Sequence, residues 1–320
     1  MEDKKFSIIV ATKDRPESIK DFLISLRDTE IISRKDVEVI IVDNNSKYGQ
    51  IKNICKIYRA IYYKECKLGK SYALNKGIEL SKGRYLIFTD DDIVIKNNNW
   101  LNQLYRPFEK MPKLGYVSGN ILAFNRRNAV ADLWEKKGGL SKGSKEKYFS
   151  KEILSKFRFI PWPLTKICAG ANCIIPKKVL LEVGGYNPIF GPGGRMGHGE
   201  SLLIGYEIIK KGYELYYNPE AIVYHKHPTD AFSLKRKLFL YGMGDTGIHA
   251  FIFAKYKDFR SLFWGIFGHP LYTIKNLVKS VFKRYALPPS YAFHSFKGSL
   301  IGFWKVYKIR KSLNLRHNSK

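Results

Sequence analysis

Short apolar runs alternate with amphipathic segments over the first hundred residues. Four runs are typical of buried strands, namely FSIIVA, VEVIIVD, AIYYKE and RYLIFTDDD. Three segments between them predict helices: RPESIKDFLISLRD, YGQIKNICKIYRA and GKSYALNKGIELSKG. The first of these places Ile19, Phe22 and Leu26 at helical spacing, and Pro16 suits a first helical turn. This alternation predicts an α/β fold with a Rossmann-like, mostly parallel sheet that is flanked by helices.

The pattern becomes mixed after residue 100. WLNQLYRPFEKM predicts a helix, GYVSGNILAF a strand, and ICAGANCIIPKKVLLEVGGYN a strand followed by a helix. Residues 125–160 indicate a long surface loop with some helix. LLIGYEIIKKGYELYYNPEAIVYHKH predicts a helix that ends at Gly212, followed by two short strands. Residues 231–320 hold 17 Lys and Arg but two acidic residues, so we predict domains at 1–230 and 231–320, the second a helical, basic and aromatic extension.

Polar side chains stand where three of the predicted strands end. They are Thr12 and Asp14 after the first strand, Asp43 at the end of the second, and Asp90, Asp91 and Asp92 after the fourth. In such a sheet, ligands bind outside the carboxyl ends of the strands. Because adjacent buried carboxylates repel one another, a positive group is expected among them. We predict a divalent cation, Mn²⁺ or Mg²⁺, that bridges a bound diphosphate; a solvated acidic turn is the alternative.

The 320-residue chain is strongly basic, with 56 Lys and Arg, 28 Asp and Glu, and a formal net charge of +28. Such an excess indicates an anionic partner, which could be a nucleotide, a nucleic acid or an acidic lipid surface. The four cysteines form no CxxC pair, and free thiols fit a reducing compartment. We find neither a signal peptide nor a run of 18 apolar residues, and we predict a cytoplasmic location.

Five ordered segments carry a resemblance to a known family: SIIVATKDRPE, VIIVDNNS, LGKSYALNKGI, YLIFTDDDI and GYELYYNPEAIVYH. Each is weak by itself, but together they resemble the inverting glycosyltransferases of family 2, which have the GT-A fold. The resemblance extends from Phe6 to His227. It implies transfer of a sugar from a nucleotide-sugar, with a UDP-sugar favoured, to a hydroxyl of a glycan or lipid-linked acceptor, as in polysaccharide biosynthesis.

The resemblance also implies which residues bind the donor: Thr12, Asp14, Asp43, Lys70, Asn75 and Asp91. Asp43 would contact the nucleobase, and Asn75 with Gly77 matches the N-x-G motif. The family often has Arg where this chain has Leu74, and Lys70 could supply that charge. The alternatives are a helix cap for Asp43, helix packing for Asn75 and Gly77, and a solvated charge for Lys70.

The metal ligands implied by the resemblance are Asp90 and Asp92, with Asp91 between them. His225 matches the histidine of the terminal V-x-H motif, which in some members also binds the metal. His227 is a second candidate. The alternative for His225 is a strand histidine with a backbone partner.

The catalytic base is the point at which the chain departs from the family. The usual Glu-Asp pair falls on Glu200 and Ser201, and a serine cannot take up the acceptor proton unaided. We predict that Glu200 is the base, with His198 in reserve and Glu207 as a third candidate. The alternative is that Glu200 only stabilises the start of its helix, where the dipole favours negative charge.

Two other functions remain open at this point. A sugar-1-phosphate nucleotidyltransferase would also combine a Rossmann-like half with acidic metal ligands, but ATKDRPE lacks a Gly-rich loop after the first strand. A nucleic-acid-binding protein would explain the net charge, but no nucleic-acid motif is present, and we predict no such partner.

The extension contains the apolar, aromatic segment SLFWGIFGHPLYTI, which is too short to span a bilayer. Basic residues flank it: Arg260, Lys275, Lys279, Lys283 and Arg284. We predict that the extension attaches the protein to an anionic membrane surface at the cytoplasmic face. An ordinary helical subdomain packed on the catalytic domain is the alternative.

Overall fold

One sheet of nine strands organises the described part of the chain. The computed structural model describes residues 4–125, 128–156, 164–284 and 287–309. Small parts of the predicted 125–160 loop and of the extension therefore lie outside the described residues. The strands are β1 (Phe6–Thr12), β2 (Val37–Asp43), β3 (Ile61–Lys64), β4 (Tyr85–Asp90), β5 (Ile93–Val94), β6 (Leu114–Ala123), β7 (Lys147–Phe149), β8 (Asn172–Pro176) and β9 (Glu214–His225).

The sheet has the order β3-β2-β1-β4-β8-β6-β9-β5, and β7 also pairs with β9. Strands β3, β2, β1 and β4 are parallel, as the alternating pattern predicts. The later strands are mixed, because β8 runs antiparallel to β4 and β6 while β6 and β9 are parallel. Most paired residues lie in parallel ladders, so the predicted fold class is confirmed.

The prediction of two short strands after Gly212 is wrong. The segment forms one strand, β9, whose register against β6 shifts between Gly119 and Asn120. The bulge coincides with Pro219 on β9, which has no N–H to donate to the ladder. Similarly, WLNQLYRPFEKM forms two short helices because Pro107 begins a new one.

Helices cover both faces of the sheet. They are α1 (Pro16–Asp28), α2 (Gln50–Ile57), α3 (Lys70–Leu80), α4 (Trp100–Tyr105), α5 (Pro107–Lys110), α6 (Ala129–Lys136), α7 (Lys151–Ser155), α8 (Lys177–Val183), α9 (Glu200–Lys210), α10 (Ala231–Tyr256), α11 (Phe259–Phe263), α12 (His269–Val281) and α13 (Pro289–Ile309). Alternate residues of β1 enter different cores: Ile9 packs with α3, α8 and α9, whereas Ile8 and Val10 pack with α1, α2 and α4. This two-sided burial explains why the central strands are continuous apolar runs.

The C-terminal extension is helical, as predicted. Helix α10 packs along α13, and α12 also packs on α13. A π-helical turn, Trp264–Gly268, joins α11 to α12. None of the helices in the described ranges combines the length and apolarity needed to cross a membrane. The division of the chain at residue 230 stays a prediction, although α10 begins at Ala231.

Candidate active site

Strand pairing brings two acidic residues and a histidine together. Asp90 ends β4, and the chain continues through Asp92 into β5, whose Ile93 lies opposite His225 at the end of β9. Ligand atoms of Asp90, Asp92 and His225 all lie within 4.8 Å of one another. His225 Nε2 is 3.3 Å from Asp92 Oδ1, and this buried oxygen accepts no hydrogen bond from the described residues. Two carboxylates and an imidazole with such an unpaired oxygen fit a divalent cation such as Mn²⁺ or Mg²⁺.

The titration behaviour of the three groups suits cation binding. Burial, assisted by the positive charge of Lys237, lowers the pKa of His225 to about 3, so its imidazole is neutral and can act as a ligand. Burial and the charge of Asp90 raise the pKa of Asp92. Burial also acts to raise the pKa of Asp90, but the charge and hydrogen bond of Lys70 outweigh it, so that this pKa lies below its usual value.

Asp91 is held by two residues at the end of β1 and just beyond it, Thr12 and Arg15. Thr12 Oγ1 donates a 2.7 Å hydrogen bond to Asp91 Oδ2, and Arg15 contacts Asp91 Oδ1 at 2.9 Å. The same guanidinium reaches Asp92 Oδ2 at 3.1 Å. Burial and the neighbouring charge of Asp92 raise the pKa of Asp91 to about 6. Sequence reasoning missed Arg15, although its position three residues after the polar end of β1 was a signal.

Hydrogen bonds of Asp14, one of the residues predicted to bind the nucleotide-sugar, join the loops after β1 and β2. The Asp14 N–H donates to Ser46 Oγ at 2.7 Å, and Asp14 Oδ1 accepts from the Lys47 N–H at 2.8 Å. Asp43 is 1% exposed and accepts hydrogen bonds from the Ser46 N–H at 2.9 Å and from the Tyr62 hydroxyl at 3.0 Å. Asp43 therefore holds the loop beside the crevice, and its contact with a nucleobase stays a prediction.

Helix α3 brings Lys70 into the crevice but directs Asn75 elsewhere. Lys70 Nζ contacts Asp90 Oδ1 at 2.5 Å and lies 3.5 Å from Glu200 Oε1. Asn75 exchanges two 2.8 Å hydrogen bonds with the backbone of Tyr186. A Cβ at Gly77 would come 2.4 Å from Ile9, so this glycine allows α3 to pack on β1. These contacts are consistent with a packing role for Asn75 and Gly77, and donor binding by Asn75 stays a prediction.

Glu200 opens α9 next to Lys70, at the bottom of the same crevice. It is 7% exposed, and its Oε2 has no hydrogen-bond partner among the described residues. A Cβ at Gly191 would lie 3.3 Å from that oxygen, so the glycine-rich loop leaves room beside the carboxylate. Glu207 is different, because it contacts Lys255 at 2.6 Å and Tyr256 at 3.0 Å, away from the strand ends.

The remaining histidine candidates have partners outside the trio. The His198 ring stacks on Tyr241 with centroids 3.9 Å apart, and its Nε2 lies 3.7 Å from Asp245 Oδ1. His227 Nε2 contacts Glu135 Oε1 at 2.8 Å. Tyr241 and Asp245 belong to α10, so the extension packs against His198, two residues before Glu200. Sequence reasoning missed this contribution because it depends on packing between segments distant in sequence.

Comparisons with known proteins agree with this geometry. The model of glycosyl transferase family 2 matches residues 7–184, more than half of the chain. A mannosyltransferase from Pyrobaculum calidifontis, solved in complex with GDP-Man and Mn²⁺, has a similar structure with a TM-score of 0.62 and 14% sequence identity, over 98% of this chain and 88% of that one. A mycobacterial protein has a TM-score of 0.52 at 14% identity, over 78% of this chain and 74% of its own. Comparison with curated protein sequences finds no match.

The family match and the shared fold decide between the functions that the sequence left open. The matched residues contain Asp90, Asp92 and, apart from Phe6 at the start of β1, the first four strands. The structural neighbours have the same GT-A architecture, a mostly parallel sheet flanked by helices. The family match contains the first four of the five segments and ends before the fifth, and it confirms the predicted family: the chain belongs to glycosyl transferase family 2 and is a glycosyltransferase.

Proposed function

We propose that the protein is a metal-dependent, inverting transferase that moves a sugar from a nucleotide-sugar to a hydroxyl of a glycan or lipid-linked acceptor. The observation that carries this proposal is one crevice at the strand ends that contains Asp90, Asp92 and His225 beside Lys70 and Glu200. Displacement of a nucleoside diphosphate requires ligands for a metal ion, a positive side chain such as Lys70 to bind phosphate, and a buried carboxylate such as Glu200 to take up a proton.

Each group has a distinct part in the proposed reaction. Asp90, Asp92 and His225 would hold Mn²⁺ or Mg²⁺, which neutralises charge on the departing diphosphate when it is bound. The acceptor hydroxyl attacks the anomeric carbon from the face opposite the diphosphate, and the bond from that carbon to the diphosphate oxygen breaks. Glu200 takes the hydroxyl proton. Attack from the opposite face inverts the anomeric configuration.

A substrate screen would identify the nucleotide-sugar that serves as donor. The family resemblance favours a UDP-sugar, whereas the neighbour from Pyrobaculum calidifontis was solved with GDP-Man. We therefore suggest measuring hydrolysis of UDP- and GDP-sugars with Mn²⁺, with Mg²⁺ and with chelator. Metal-dependent release of UDP or GDP from one donor would support the proposal, and release from none of them under any of these conditions would contradict it.

We also propose that the extension docks on an anionic membrane surface. Six apolar residues follow one another at spacings of three and four and are 40–63% exposed: Phe263, Phe267, Leu271, Ile274, Val278 and Val281. Four exposed cations lie close to this stripe: Lys275, Lys279, Lys283 and Arg284. An apolar stripe bordered by cations suits the boundary between anionic headgroups and acyl chains. Meanwhile α10 and α13 pack together, so the extension also forms a helical subdomain.

Vesicle flotation tests this surface. We expect the protein to float with phosphatidylglycerol vesicles at low salt and to bind phosphatidylcholine vesicles weakly. Leu271→Glu should reduce flotation, whereas the control Leu181→Glu, at a residue on α8 that is 64% exposed, should not. Wild-type protein that remains with the unbound fraction at low salt would contradict membrane docking.

A further inference from the structure

Helix α10 packs tightly against the glycine-rich loop that leads into α9. A Cβ at Gly244 would lie 2.7 Å from the His198 carbonyl oxygen, and one at Gly197 would lie 2.5 Å from the Leu240 side chain. A Cβ at Gly199 would similarly meet Ile248 at 2.4 Å. These contacts hold the middle of α10 beside the residues that precede Glu200.

Lys237 lies on the face of α10 that makes these contacts. Residues 237, 241, 244 and 248 follow the i, i+4, i+7, i+11 spacing of one helical face. Tyr241 stacks on His198, and Gly244 and Ile248 contact the loop. The side chain of Lys237 therefore leaves the helix on the side of the active site, about two turns before Gly244.

The ammonium of Lys237 has no anionic partner among the residues that the structure describes. Its Nζ lies 4.7 Å from the ring centroid of Trp134 and 5.7 Å from that of Tyr241, and it makes no hydrogen bond or ion pair with any described residue. Burial lowers the pKa of Lys237, and the carboxylates that act against this are Asp92 and Asp90, two of the cation ligands.

Two cations that contact the acidic residues are already paired. Lys70 contacts Asp90, and Arg15 contacts Asp91 and Asp92. A diphosphate that enters beside a cation held by Asp90 and Asp92 would thus meet Lys237 as an unpaired positive charge. Lys237 is half-buried, and partial removal of an ammonium from water without an anionic partner costs free energy, so binding of an anion lowers that cost.

We propose that Lys237 binds the diphosphate of the nucleotide-sugar donor, so that the C-terminal extension completes the donor site. The inference deepens the proposed function and rests on it. A charge-assisted contact to phosphate also stabilises the leaving group as its charge develops. The extension would accordingly be required for donor binding even in the absence of a membrane.

Calorimetric titration with UDP and GDP in Mn²⁺, and with uridine and guanosine, tests the proposal. We expect Lys237→Met to weaken binding of the preferred diphosphate about 10- to 100-fold, the contribution of a charged hydrogen bond, while nucleoside affinity stays within about twofold. Lys237→Arg should recover most of the loss. Lys235→Met is the matched control, because Lys235 is on the same helix but lies 5.2 Å from the ring centroid of Tyr291.

The outcomes separate this inference from the proposed function. Wild type that binds neither diphosphate in Mn²⁺ would overturn both. Wild type that binds a diphosphate, together with a Lys237→Met variant of equal affinity, would overturn the role of Lys237 alone. An equal loss of nucleoside and diphosphate affinity would also overturn it, because that pattern indicates a structural defect. Melting temperatures check folding, and Lys237→Gln replaces the Met variant if the latter does not fold.

Discussion

Replacement of Glu200 by Gln tests the proposed catalytic base most sharply. Glu200 is 7% exposed, lies 3.5 Å from Lys70 Nζ, and has one oxygen without a partner among the described residues. Gln keeps the size of the side chain and its capacity to accept a hydrogen bond, but it cannot take up the acceptor proton. We therefore expect a specific loss of turnover in a folded protein.

The contacts of Lys70 limit how much stability the Glu200→Gln variant should lose. Lys70 keeps its 2.5 Å contact with Asp90 in the variant, so the loss of stability should stay below the roughly 3–5 kcal/mol that an unpaired buried charge costs. Turnover should fall by about 10²–10⁴, the usual contribution of a general base. This corresponds to about 3–5 kcal/mol in activation free energy.

The assay is steady-state turnover on the donor and acceptor identified by screening, alongside calorimetric affinities for the nucleoside diphosphate and for Mn²⁺. Both affinities should remain within about twofold of wild type. Glu207→Gln is the matched control, since Glu207 is a buried carboxylate of the same helix whose partners are Lys255 and Tyr256. It should cost stability but preserve turnover. Normal turnover in Glu200→Gln would refute the assignment, and His198 would then be the next candidate.

Two further predictions concern the nucleobase and the pH dependence of stability. Asp43→Ala should weaken UDP binding about 10- to 100-fold through loss of a charged hydrogen bond, and a calorimetric change below about twofold would count against a role in nucleobase binding. Burial lowers the pKa of Lys137 to about 8, whereas its pKa in the unfolded chain is about 10.5. Between these two pH values only the unfolded state keeps the proton, so the free energy of unfolding rises with pH. Lys137→Met should therefore be more stable than wild type at pH 7, with a melting-temperature difference that narrows by pH 10; a constant difference would contradict the burial.

The first half of the fold was predictable because its determinants are local. Strand β2 is buried along its whole length and occupies the predicted residues, and α1 begins at Pro16 as its sequence indicates. Strand β9 was harder to predict because it contains Pro219, and a proline usually marks the end of a strand. Here the strand continues, because its register against β6 shifts at that point. That shift depends on β6, about a hundred residues earlier.

The site was predictable only where a motif marked it. Asp90, Asp92 and His225 were identified from two short motifs, and the structure brings their ligand atoms together. Arg15 and Lys237 belong to no motif, and their relevance follows from where their long side chains end in space. Asn75 shows the converse, since a recognisable motif residue has its amide bonded to the backbone of Tyr186.

The central claim is that Asp90, Asp92 and His225 bind a divalent cation together with the donor diphosphate. The most direct test is calorimetric titration of wild type and Asp92→Asn with UDP and GDP, in Mn²⁺ and in chelator. We predict that wild type binds one diphosphate tightly only when Mn²⁺ is present, and that Asp92→Asn loses this metal-dependent binding while melting at a similar temperature. Equal diphosphate affinity of the wild type with Mn²⁺ and with chelator would contradict the account.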